Sequence, residues 1–258
     1  MTADVLVLPL DAPEQVEFAL REVGDRLAAV VIEAIPANNG LLLQQPDFLS
    51  MLRETTRSLG ALLVADEVLT GFRVSDPLVS LVNGLDPDIM TLGKVIGGGL
   101  PVGAVWASAE IMASLAPEGP VYQAGTLSGN PLGMVAGLAT LEALDQGGGI
   151  DRLEHLGQRL EEGVRSVVDI LDIPVQMARA GSIFWLAFDS DTLPRSAEAI
   201  SAESMQRYRS FHAAMLDCGV YLAPSAFEAA FISQAHDDVA IARTLDAADA
   251  AFAALARD

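Results

Sequence analysis

The chain has 258 residues, enough for one large domain or two unequal ones around a sizeable core. Its 35 acidic residues outnumber 15 basic ones, and the formal charge of −20 argues against bulk binding to nucleic acid or anionic membrane, both of which need basic surface. Hydrophobic residues make up 51%, yet no run approaches the roughly 18 unbroken apolar residues of a membrane span, so the surplus points to a thick buried sheet or an oligomer interface.

Met1-Thr-Ala-Asp4 has no basic segment ahead of an apolar one and does not read as a signal peptide. Asp11-Ala-Pro-Glu14 predicts an acid at the N-cap and an amphipathic helix reaching to about Leu27. Ala28-Ala-Val-Val-Ile-Glu-Ala-Ile35 is a near-continuous β-rich run of the kind buried in parallel sheets. A helix over Pro46–Ser58, closed by Gly60, leads at once into Ala61-Leu-Leu-Val-Ala65, so the two strands should lie parallel. A third strand runs up to Lys94 and a fourth covers Val102–Ala107. Pro131 to about Asp145 is helical and stops at Gly147-Gly-Gly149, the best place for a domain boundary. Beyond it the pattern predicts a helix to Leu171, alternating strands across Val175–Phe188, a helix over about Ala202–Asp217 and an Ala-rich helix from Asp237. The expected fold is α/β: a mostly parallel sheet flanked by helices over residues 1–146, then a small α+β domain over 147–258. The single cysteine, Cys218, permits no internal disulfide, fits a reducing cytoplasm, and reads as a packing residue.

Two strand ends carry chemistry. Asp66 closes Ala61–Ala65, and Lys94 closes Asp88-Ile-Met-Thr-Leu-Gly before the glycines Gly97-Gly98-Gly99. Ligands collect at the carboxyl ends of parallel strands. A lysine and a carboxylate placed there are what pyridoxal phosphate requires, one as covalent anchor and one to keep the pyridine nitrogen protonated. Each residue also has a plainer reading. An isolated lysine is commonly a solvated surface residue, and Asp66 could cap a helix. Gly97–Gly99 lack the lysine and hydroxyl of a phosphate loop, which favours a hinge or close packing. Thr126 could be a turn hydroxyl, and Glu228 a structural salt-bridge partner. His155, His212 and His236 lack ligand spacing, so no metal is expected.

Four stretches together resemble the class III pyridoxal-phosphate aminotransferases of fold type I, and within them the aminomutase branch. They are Ala65-Asp-Glu-Val-Leu-Thr-Gly-Phe-Arg-Val74, Asp86-Pro-Asp through Lys94 to Pro101-Val-Gly103, Tyr122-Gln-Ala-Gly-Thr-Leu-Ser-Gly-Asn-Pro131 and Tyr221-Leu-Ala-Pro-Ser-Ala-Phe-Glu228. The resemblance implies that Lys94 forms the Schiff base and shuttles protons, that Asp66 pairs with the pyridine nitrogen, and that Val68 packs on a ring face. It implies that Gly125 and Thr126 bind the cofactor phosphate of a neighbouring subunit. Asn38 and Glu33 would line the site near the cofactor's ring, and Glu228 would belong to the substrate pocket. The partner implied is a small amino acid or amino-aldehyde, handled by a homodimer or by a complex with a chain that supplies the missing N-terminal half. Two places depart from the family: Glu33-Ala34 replaces Glu-Pro, and Ala37-Asn-Asn-Gly40 replaces Gly-Asn-Met-Gly. Relative to the family the chain also begins well inside the large domain, without the phosphate-binding Gly-Ser/Thr loop and the ring-stacking aromatic. The expectations left open are an aminomutase, an aminotransferase for another amine, and a non-catalytic half or one chain of a split enzyme.

Overall fold

The computed structural model describes residues 4–76 and 78–256; the start of the N-terminal segment read above for a leader, Met1 to Ala3, lies outside them. Two compact units emerge, one formed by the chain up to residue 34 together with 44–143, the other by 35–43 together with the chain from 144 onward.

In the first unit the order is α1 (Pro13–Val23), β1 (Ala29–Ile32), α2 (Pro46–Leu59), β2 (Leu62–Asp66), α3 (Val79–Val82), β3 (Ile89–Leu92), β4 (Ala104–Ala107), α4 (Ala109–Met112) and α5 (Pro131–Gln146). The sheet order is β1-β2-β3-β4. The first three strands are parallel and β4 is antiparallel to β3. The connection from β3 to β4 holds only a 3-10 turn, Lys94–Gly97, so no crossover helix forms and the chain returns alongside. Helix α2 has Pro46 at its first turn and ends at Gly60, whose left-handed φ of 67° lets its N–H reach Thr56 O and Arg57 O. Its Phe48, Leu49 and Leu52 are buried, and α2 packs on β1 and β2. The start of α1 corrects the expected acid cap. Ala12 holds the N-cap with no side-chain cap bond, and Asp11 sits one residue earlier at φ 56°. Pro13 sets the first helical φ instead.

Alternation along β2 sorts the two faces of this sheet. Leu63 and Ala65 are fully buried, whereas Leu62, Val64 and Asp66 project from the less covered face. The register partner of Val64 is Val31, which is 69% exposed.

The second unit contains α6 (Gly149–Leu171), β5 (Val175–Ala180), β6 (Ile183–Phe188), α7 (Ser204–Asp217), β7 (Ala230–Phe231) and α8 (Asp238–Leu255). The strands form an antiparallel sheet in the order β5-β6-β7. Phe184, Leu186 and Phe188 face a core with Leu156, Leu160, Phe211 and Phe252. The odd positions Ile183, Trp185 and Ala187 are buried as well, so β6 does not alternate in exposure as the pattern suggested. A central strand with both faces covered has no reason to alternate. Asp237 caps α8 by accepting the Ala240 N–H at 2.8 Å. Cys218 is exposed rather than packed. It occupies the C-cap of α7, past the last turn, while Phe211 and Met215 supply the buried stripe. Among the described residues no helix is long and apolar enough to cross a membrane.

Candidate active site

Strands β2 and β3 end level. Asp66 is the register partner of Thr91, and the Glu67 N–H carries the ladder one step further to Thr91 O at 2.9 Å. Asp66 is half-buried, and its Oδ1 accepts the Val68 N–H at 2.8 Å. Among the described residues no donor reaches its Oδ2. Two residues on, the side chain of Val68 lies against Gly93: a Cβ on that glycine would stand 3.2 Å from Val68 Cγ1. Lys94 follows directly. It is exposed, it forms no ion pair among the described residues, and its φ of 48° turns the chain sharply off the end of β3. A side-chain-bearing residue in the left-handed region costs on the order of 1 kcal/mol, so neighbouring contacts must hold the turn.

The glycines after Lys94 provide those contacts, by close packing. Gly98 has φ 57°, and a Cβ there would collide with Ala136 O and Thr140 Oγ1 of α5. Reciprocally, a Cβ on Gly137 would collide with Ile96 O. The backbones of the lysine turn and α5 therefore touch directly, which only residues without side chains permit.

Asp66, Val68 and Lys94 thus lie at or just past the carboxyl ends of the two central strands, β2 and β3. Glu33, half-buried, follows the end of β1, the strand beside β2. Gly125 and Thr126 lie on a different, exposed loop leading into α5, where Asn130 Oδ1 caps the helix through the Gly133 N–H at 2.9 Å. Asn38 and Glu228 are both exposed and belong to the second unit. Among the described residues Glu228 has no ion-pair partner, so the salt-bridge alternative finds no support. His212 contacts Leu222 O and His236 contacts Ser233, and among the described residues no cluster of His, Cys, Asp or Glu is arranged to hold a metal.

One residue at these strand ends escaped the sequence reading. Glu67 is 1% exposed, and its carboxylate accepts the Ser80 N–H at 2.6 Å and the Thr70 hydroxyl at 2.5 Å. Those bonds tie the loop after β2 and the start of α3 to the strand that carries Asp66. Strand period alone put Glu67 on the face of Leu63 and Ala65, and an acid on a covered face signals paired polar donors.

The model of the aminotransferase class-III family matches residues 9–243. A glutamate-1-semialdehyde 2,1-aminomutase of Laribacter hongkongensis is 44% identical over 98% of this chain and 59% of its own length. That of Chloroflexus aurantiacus is 48% identical over 90% of this chain and 54% of its own. Among solved structures, an omega-transaminase from Sphaerobacter thermophilus superposes with a TM-score of 0.88 at 34% identity, covering 98% of this chain and 58% of that one. A glutamate-1-semialdehyde aminomutase from Pseudomonas aeruginosa superposes at 0.82 with 26% identity, covering 97% and 56%. The chain spans a little under three fifths of the length of these relatives. The fold is that of the fold type I transferases. With most of its length matched in sequence and in structure, the chain belongs to the class-III aminotransferase family.

Proposed function

We propose that this chain carries the lysine side of a pyridoxal-phosphate-dependent amino-group transfer site of the glutamate-1-semialdehyde 2,1-aminomutase type. The observation that carries the proposal is the trio Asp66, Val68 and Lys94 at the level ends of two adjacent parallel strands. These residues fit a flat heteroaromatic aldehyde. Among the described residues, Asp66 Oδ2 is open to a ring N–H, Val68 offers an apolar surface, Gly93 leaves room, and the Lys94 amine has no competing ion pair.

Bound pyridoxal phosphate supplies an aldehyde that captures amines and a ring that draws electrons from the amino-bearing carbon. Asp66 holds the proton on the ring nitrogen, since a carboxylate beside it stabilises the charged form. Lys94 would anchor the cofactor covalently and move a proton at Nζ between the cofactor's carbon and the substrate. Val68 packs under the ring, Asn38 and Glu33 line its substituents, and Gly125 and Thr126 hold the phosphate of a neighbouring subunit. The chain accordingly works as a homodimer or beside a chain that supplies an N-terminal half, in a cytoplasmic setting. Glu228 puts negative charge at the substrate end, which favours an amino-aldehyde over a substrate with a second carboxylate there, because like charges in a desolvated pocket discriminate strongly.

A second reading, an aminotransferase for another amine, draws support from the likeness to the omega-transaminase. A non-catalytic half is the remaining alternative. The test is turnover of glutamate-1-semialdehyde and of ordinary amino donors by the chain alone and with a family-type N-terminal half. Lost positioning groups cost orders of magnitude in rate, so the chain alone should turn over little and the assembled pair should favour the semialdehyde. Robust turnover by the chain alone overturns the half-site reading, and preference for dicarboxylate donors overturns the role of Glu228.

A further inference from the structure

The loop that leads to Glu228 has no strand or helix of its own between α7 and β7, so its carbonyls must find donors elsewhere. They find them in a regular series. His212 Nε2 lies 2.9 Å from Leu222 O, the Tyr208 hydroxyl donates to Ala223 O at 2.5 Å, and Trp185 Nε1 donates to Ala226 O at 2.6 Å. A fourth donor is the backbone of a distant segment, the Gly40 N–H, bonded to Phe227 O at 2.7 Å. Tyr208 and His212, four residues apart on α7, share a helix face. Burial pushes the Tyr208 phenol up to about 12, so it stays a donor across the neutral range.

Trp185 touches both segments. Its indole is 3% exposed, on the face of β6 turned away from the helical core. Its edge holds Ala226 through Nε1, and its flat face carries Gly40. A Cβ on Gly40 would stand 3.1 Å from Trp185 Cη2 and Cζ2, and φ there is +80°. The missing side chain and the left-handed backbone together let the segment lie on the ring and reach Phe227. Asn38 precedes Gly40 by two residues, and Glu228 follows Ala226 by two. Trp185 and Glu228 also line one small pocket, with Tyr208, Leu222 and Ala223.

We propose that Trp185 is a positioning residue for the substrate end of the site, fixing the Asn38 segment and the Glu228 loop in one shared geometry. That purpose rests on the proposed roles of Asn38 and Glu228; the clamp itself does not. A phenylalanine would keep the face and lose the donor, and a side chain at Gly40 would lift the segment off the ring.

Amide hydrogen exchange on the full chain tests the clamp. Trp185→Phe is expected to raise exchange at Gly40 and across residues 222–228 by roughly threefold to tenfold, the weight of one hydrogen bond, with α8 unchanged. Gly40→Ala, whose perturbation enters from the other side, is expected to loosen residues 222–228 likewise. Unchanged exchange at Gly40 in Trp185→Phe overturns the proposal, and so does an equal rise in α8, which would mark a role in overall stability only. Kinetics with the N-terminal half supplied then separate the clamp from its purpose. Trp185→Phe should raise KM for glutamate-1-semialdehyde several-fold with little change in kcat, and the effect should vanish in a Glu228→Gln background. Additive effects overturn positioning through Glu228. Loosened exchange together with a KM indifferent to Glu228→Gln would sustain the clamp and overturn the substrate role of Glu228.

Discussion

Val68 leans against Gly93, with its Cγ1 3.2 Å from where that residue's Cβ would be, and so the apolar side chain just past the end of β2 borders the backbone of the lysine turn. Since Asp66 Oδ1 is committed to the Val68 N–H, the acid, Val68 and the lysine turn form one locally braced unit. That unit makes a defined prediction. Incubation with pyridoxal phosphate followed by borohydride should leave the label on Lys94, read by peptide mapping. Lys94→Ala should abolish both label and turnover while leaving the melting temperature within a few degrees, because Lys94 is exposed and forms no ion pair among the described residues. A label elsewhere, even with an N-terminal half supplied, would remove the site assignment.

Gly98 and Gly99 are adjacent and should respond very differently to alanine. Both have positive φ, 57° and 88°, but a Cβ on Gly98 meets Ala136 O and Thr140 Oγ1, whereas Gly99 faces open space. Gly99→Ala should therefore cost about 1 kcal/mol of backbone strain. Gly98→Ala adds overpacking against α5 and should cost about 3 kcal/mol in all. Denaturant titrations giving equal losses would contradict direct backbone contact between the lysine turn and α5.

Arg53 should matter for stability and not for the lysine. Its guanidinium, buried on α2, donates to Asp88 Oδ2 at 2.9 Å and to Asp86 O at 2.9 Å, and Asp88 Oδ2 also accepts the Leu63 N–H at 2.7 Å. This knot ties α2 to the amino end of β3, the end opposite Lys94. Arg53→Met strands a half-buried carboxylate and should cost about 3 kcal/mol. Labelling of Lys94 below the transition should be unchanged; a parallel loss of both would mean that the two ends of the sheet are coupled.

Tyr208 gives stability a high-pH limb. Its phenol is raised to about 12 by burial, above the ordinary value near 10, so folding favours the protonated form. The contribution is whole below pH about 10 and is lost as the pH climbs toward about 12. The stability gap between the parent chain and Tyr208→Phe should thus be flat from about pH 7 to 9 and shrink above about 10. A gap that widens there would reverse the assignment.

Association should be visible in solution. Val31 and Val105 are 69% and 56% exposed on the sheet, while α5 buries Gly133 and Gly137 and leaves Leu132, Val135 and Leu138 at least 60% exposed. Contiguous apolar surface beyond a few hundred Å² normally finds a partner. Light scattering is expected to show a dimer or larger species at micromolar concentration, and a well-behaved monomer would speak against the proposed homodimer.

Legibility in the sequence followed the range of the forces involved. Pro46 and Gly60 bracket α2 because a fixed φ and a left-handed φ act within one residue. Asp237 announces α8 because its cap reaches only to Ala240. Asp11 misled, since Pro13 begins the helix without a side-chain cap, and Cys218 misled, since the stripe of α7 is complete at Met215. The two-residue β7 has no period to detect; it exists only because β6 offers it partners at Ile183 and Phe184.

By itself, then, the sequence located the four strands of the first sheet, with Asp66 at the end of β2 and Lys94 just past the end of β3, because apolar runs and their punctuation are local properties of the chain. Tertiary structure decided what surrounds those ends. It set the level register of Asp66 with Thr91, the contact of Gly98 with Ala136, the burial of Glu67 beneath Ser80, and the grip of Trp185 on Ala226, 41 residues away. Each depends on where a distant backbone donor, carbonyl or helix comes to rest, and that is fixed only when the whole core packs.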